Sequence, residues 1–319
     1  LSSRATKQLS ILAGVVVLLV ILGGCSSLQS NTTNTLEKQI ELQQAQQDLL
    51  AEPVAVETKT AEEYEAVGDR YVLQGDINRA YMFYVKGLGL EPDKAALLHK
   101  QAALLIKKNK NAEAEQVYKK LLAQNAKDPL AIEGLGKAYF GKGKSGEAEQ
   151  AFLAALELRP ELWQAHEYLG LISSQKKDYQ WAITHFKTAL TYKPGSASTT
   201  NNLAVTYYLT GDFNNAAMLL RELTAVTNDP KIHNNLGLCY FRLGDYQGAL
   251  ESFKKGSGSE AVAYNNLGQE YLFIEKYNEA REAFEKAIVL NPKFYPAAQK
   301  NLELSRKLSA LALTPTTGK

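Results

Sequence analysis

The sequence predicts an all-α protein: an α-solenoid of about seven helix-turn-helix units closed by a C-terminal capping helix. Three observations carry this. A pattern returns about every 34 residues without a gap from Ala61. Small residues fall at fixed places within it, where two helices can approach closely. Turn and breaker residues fall between the apolar stretches. The clearest copy, 129–162, carries Leu135-Gly136, Tyr139, Ala148, Phe152, Ala155 and Pro160, at positions 7, 8, 11, 20, 24, 27 and 32 of the unit. Gly136, Ala148 and Ala155 leave room at the helix crossing, and Leu135, Tyr139 and Phe152 fill the space around it. The run Gly141 to Gly146 breaks the first helix, and Pro160 ends the second. One such hairpin cannot bury its own apolar face, whereas stacked copies can.

The elements follow in order. Residues 1–24 open with Arg4 and Lys7 and continue into a nearly unbroken apolar run, Leu9 to Leu22. That run is shorter than the ~20 residues a spanning helix needs, and small residues follow it, as in a secretory signal. Residues 25–60 begin at Cys25, are rich in Ser, Thr, Asn and Gln, and read as a flexible tether. A helix over Leu36 to Ala51 has only a thin apolar stripe. Seven units then fill 61–94, 95–128, 129–162, 163–196, 197–229, 230–260 and 261–294. Unit two is the most divergent, with Gln101 at an apolar position and Ala126 in place of the Pro. Unit five is one residue short and has Leu220 and Leu223 where an aromatic and a small residue are usual. Unit six is three residues short, and Gly256-Ser257-Gly258 cuts its second helix. Residues 295–312 form the capping helix, with Lys300, Glu303, Arg306 and Lys307 on its outer face. The tail 313–319 is expected to be disordered.

These residues resemble the tetratricopeptide repeat, a 34-residue helix-turn-helix. The resemblance implies a right-handed solenoid whose concave face is lined by positions 2, 5, 9 and 12 of each first helix. The ending Leu22-Gly23-Gly24-Cys25 resembles the bacterial lipobox. It implies lipidation of Cys25, and Ser26 after it implies the outer membrane rather than the inner. Several acyl chains, each buried CH₂ worth ~0.8 kcal/mol, would anchor the chain stably.

Composition excludes several functions. The net charge is +2, and Arg4 and Lys7 supply two positive charges, so the remainder is neutral and offers no basic field for nucleic acid. Two cysteines, Cys25 and Cys239, form neither a disulfide framework nor a zinc motif. His166 and His233 sit at position 4 of their units and read as packing residues; His185, on a second helix beside Phe186, has no partner at metal spacing. Cys239, at position 10, reads as packing. Gly141-Lys142-Gly143-Lys144-Ser145 lacks the spacing of a phosphate loop. No catalytic constellation, metal site, cofactor site or small-molecule site is expected.

The surface therefore carries the function. Unit one offers Glu62, Glu65 and Asp69, an acidic opening to the groove. Units five to seven offer Asn201, Val205 and Tyr208, then Asn234, Leu238 and Phe241, then Asn265, Gln269 and Leu272. These nine are the candidate partner-binding residues. The three Asn either grip an extended peptide backbone or hold helix to helix. Lipobox, polar tether, tandem repeats and the Asn-Asn-Leu-Gly runs at Asn234 to Gly237 and Asn265 to Gly268 together resemble the TadD lipoproteins of the tight-adherence (Flp) pilus. That resemblance implies a periplasmic, outer-membrane-anchored scaffold, not an enzyme, that assists assembly of a pilus or its secretin. PilF/PilW-type pilotins of type IV pili are a second resemblance. An adaptor recruiting a peptidoglycan hydrolase or protease is the alternative from another class.

Overall fold

The structure is a computed structural model that describes residues 60–291 and 295–313. The expected signal segment, Cys25, nearly all of the expected tether, Pro292 and the tail from 314 lie outside those residues. The described residues form fifteen helices and no strand. Unit one is α1 (Ala61–Leu73) and α2 (Ile77–Leu90); unit two is α3 (Ala95–Lys107) and α4 (Asn111–Gln124). Unit three is α5 (Pro129–Gly141) and α6 (Ser145–Leu158); unit four is α7 (Trp163–Gln175) and α8 (Tyr179–Tyr192). Unit five is α9 (Ala197–Leu209) and α10 (Phe213–Thr224); unit six is α11 (Pro230–Arg242) and α12 (Tyr246–Ser257). Unit seven is α13 (Glu260–Phe273) and α14 (Tyr277–Leu290), and α15 (Pro296–Leu313) caps the stack.

Each helix packs on the next, and first helices of successive units also touch, as α3 does α5 and α9 does α11. The first helices therefore make the inner layer and the second helices the outer one. The predicted period survives at every crossing. Position 20 is Ala80, Ala114, Ala148, Ala182, Ala216, Ala249 and Ala280, all fully buried. In five units the ring at position 24 packs against the glycine at position 8. A Cβ on Gly136, Gly170, Gly237 or Gly268 would come within 2.6 to 2.8 Å of Phe152, Phe186, Phe253 or Phe284, and one on Gly68 would come nearer still to Tyr84. Only a residue without a side chain allows that approach.

The links between paired helices share one geometry. Residue 16 of each unit donates its backbone N–H to the carbonyl five residues earlier, at position 11, as in Asp76 to Tyr71 (2.9 Å) and Asp212 to Tyr207 (2.9 Å). This needs a left-handed residue at position 15. Gly75, Gly143, Gly211 and Gly244 supply it, but so do Asn109 (φ 57°), Lys177 (φ 62°) and Glu275 (φ 62°). Asp76, Asp178, Asp212 and Asp245 then cap the second helices through their carboxylates. Unit six ends as the sequence predicts: α12 stops at Ser257, and Gly258 is left-handed (φ 67°).

Candidate partner-binding groove

The inner face divides into a polar half and an apolar half. At the opening, Glu62 pairs with Lys94, and Lys100 lies 2.7 Å from Glu65 and 2.6 Å from Asp69. The acidic opening expected from unit one is thus paired off, because stacking brings Lys94, the residue before α3, and Lys100 within α3 against it. His99 Nε2 lies 2.7 Å from an Asp128 oxygen. Glu133 is buried and pairs with Lys137 (2.7 Å), which also donates to Gln164 of unit four (2.8 Å). Glu167 accepts from Ser198 (3.0 Å) and Thr199 (2.9 Å) of unit five. Side chains that sequence alone offered to a partner here hold unit to unit.

From unit five the row becomes apolar. A pocket of about 200 Å³ opens between α9, α10 and α11, lined by Ala204, Val205, Tyr208, Leu209, Leu220, Asn235, Leu238 and Cys239. Its cause is the aromatic missing from unit five. Where other units set a ring on a glycine, this one sets Leu220 near Ala204, and both residues line the vacant space. Cys239 is buried there, and burial pushes its thiol up to about 12, so it is an inert part of the wall.

Three of the nine candidate residues, Val205, Tyr208 and Leu238, converge on this pocket. Two of the three Asn residues are committed elsewhere. Asn201 Oδ1 accepts from Asn235 (3.0 Å) and Asn265 Oδ1 accepts from Asn301 of the cap (3.0 Å), so helix-to-helix bonding is what these amides do. Asn234 Oδ1 is buried without a hydrogen-bond partner and lies against Gly256, where a Cβ would meet it. Phe241 is only 3% exposed and packs between Tyr246 (5.2 Å) and Tyr271 (5.1 Å); it belongs to the core, not to a presented surface. Gln269 is exposed and Leu272 half-buried on α13.

The sequence reading missed Leu209, Asn235 and Arg242. Leu209, half exposed, is one residue past Tyr208 and extends the apolar rim. Arg242 knits three units together. Its Nε donates to Tyr208 Oη (3.0 Å), its terminal nitrogen lies 3.1 Å from Glu270, and its guanidinium sits 4.8 Å over the exposed Phe273 ring. Burial raises the Glu270 carboxyl and the Arg242 charge opposes that rise. Position 13 of the unit was the signal: Leu209, Arg242 and Phe273 all occupy it.

Family models described as tetratricopeptide repeat match residues 99–162, 133–197 and 261–294. Over those residues the helical hairpins are tetratricopeptide repeats. Units two to four and unit seven match directly, and a model described as anaphase-promoting complex, cyclosome, subunit 3 matches 175–256. A CTR9 homolog from Arabidopsis thaliana is 28% identical over 190 residues, 57% of this chain and 17% of that protein. The BBSome complex member BBS4 from Bos taurus is 30% identical over 122 residues, 38% of this chain and 24% of that protein. The chain thus spans under a quarter of either relative. Among solved structures, a tetratricopeptide repeat protein from Parabacteroides merdae superposes with a TM-score of 0.50 at 21% identity, covering 77% of this chain and 98% of that one. The Cut9–Hcn1 hetero-tetramer of the APC/C gives 0.56 at 19% identity, covering 81% and 50%. These likenesses are of fold, and the tetratricopeptide architecture is that of a protein-interaction scaffold.

Proposed function

We propose that this chain is a lipid-anchored periplasmic scaffold whose C-terminal groove captures a protein segment by one apolar anchor residue. The observation that carries the reading is the pocket between units five and six, walled by Val205, Tyr208, Leu209 and Leu238. Binding energy concentrates where an apolar side chain enters a desolvated pocket, and a space of about 200 Å³ suits a single leucine- or phenylalanine-sized anchor. The opening of unit one contributes little, since its carboxylates are already paired with lysines. The lipobox-like Leu22 to Cys25, the tether and the Asn-Asn-Leu-Gly units support placing the scaffold at the outer membrane, in service of a tight-adherence pilus or its secretin.

The test closes the pocket without damaging the fold. Ala204→Gly together with Leu220→Phe rebuilds the ring-on-glycine contact of the other units. In cells this double variant, and Tyr208→Ala separately, should reduce pilus assembly and secretin multimers, while Glu62→Ala should not. Full assembly by the pocket-filled variant would overturn the groove reading.

A further inference from the structure

His166 and His185 lie nineteen positions apart in unit four, on α7 and α8, and the hairpin brings their rings together. Their Nδ1 atoms are 3.3 Å apart. His166 Nε2 lies 3.1 Å from the carbonyl oxygen of Pro160. A carbonyl only accepts, so His166 carries its hydrogen on Nε2 and turns the Nδ1 lone pair toward His185. His185 in turn donates its Nδ1–H to that lone pair. Burial disfavours the charged form of both rings, and for His185 the neighbouring His166 adds to that.

Two nitrogens bound to one tetrahedral zinc ion at about 2.0–2.1 Å are about 3.3–3.4 Å apart. The His166–His185 separation matches that edge. The Pro160 carbonyl on the far nitrogen of His166 is the outer partner that orients a metal-bound imidazole. We propose that His166 Nδ1 and His185 Nδ1 form a binding site for one divalent transition-metal ion of the zinc class, with water completing the coordination. The ion takes the place of the Nδ1 hydrogen of His185. That ring takes up a proton at Nε2, so both ligands remain neutral imidazoles and no net proton is lost. Small turns about each Cβ–Cγ bond move the facing lone pairs onto a common point. The pair is reachable: Trp181 beside His185 (6.0 Å between rings) is 59% exposed, and Tyr192 beside His166 (6.0 Å) is also exposed. Glu149, whose charge acts on His185, adds a negative field nearby while holding Lys176 at 2.6 Å. Among the described residues no third His, Cys, Asp or Glu completes the set, which is why water fills the remaining positions.

Cobalt(II) and zinc titrations of the full chain test the site. One cobalt per chain should bind, with visible absorption bands that zinc bleaches. His166→Gln and His185→Gln should each abolish the bands, while His99→Gln keeps them, with helicity checked by circular dichroism. On the native chain, zinc should shift the imidazole resonances of His166 and His185 and leave those of His99 and His233. Absence of cobalt bands, bands retained in the His166→Gln/His185→Gln double variant, or one ion shared by two chains with a doubled mass would overturn the proposal.

Discussion

Gly170 has no room for a methyl group. A Cβ there would sit 2.6 Å from the Phe186 ring, which is fully buried and has nowhere to move. Gly170→Ala should therefore destabilise the chain by ~1–3 kcal/mol through overpacking, and Ala182→Leu by a similar amount. A thermal melt with an unchanged midpoint would contradict the packing register. Charge acts at the same scale. Glu115 is buried between Lys119 (2.6 Å) and Lys142 of the next unit (2.7 Å). Lys119 and then Lys142 hold its carboxyl at about 2, below the ordinary 4.5. A depressed carboxyl contributes stability that is present above pH 4.5 and lost as pH falls through about 2. Glu115→Gln should lower the melting temperature at neutral pH and flatten the acid-side fall. Melts from pH 7 down to pH 2 read both effects.

At the scale of the element, the seven hairpins share one turn but not one turn residue. Lys177 and Glu275 hold the left-handed conformation that four other units give to glycine. An L side chain is strained there by ~1–2 kcal/mol, while glycine costs more entropy on folding, so the two effects partly cancel. Lys177→Gly and Glu275→Gly should each raise stability by ~0.5–1 kcal/mol net, visible as a higher denaturation midpoint at constant slope. Unit five differs in packing instead. Filling its pocket with Ala204→Gly/Leu220→Phe should stabilise the chain by ~0.5–2 kcal/mol while it removes the proposed binding function. That opposition separates a binding pocket from a packing defect.

For the whole molecule, each unit touches only its neighbours, so contributions to stability add along the stack and the ends need closing. α15 closes one end: Ala298 and Ser305 are fully buried against unit seven. The other end begins at α1. If Leu22 to Cys25 is a lipobox, Cys25→Ser should abolish incorporation of labelled palmitate and leave the solenoid folded but unanchored. Equal label in that variant would refute the anchor.

The sequence by itself determined the units, their order and their irregularities. The Gly136/Phe152 and Gly170/Phe186 contacts were legible because a short-range period fixes which residues of one hairpin meet. The short units five and six were legible for the same reason. Tertiary structure alone decided what the inner face presents. Asn201 bonds to Asn235 thirty-four residues away, Lys100 pairs with Glu65 and Asp69, and Phe241 is enclosed by Tyr246 and Tyr271. A repeat position says which way a side chain points from its own helix. It does not say what the next unit places in front of it, and that contact settles whether a residue binds a partner or another part of the same chain.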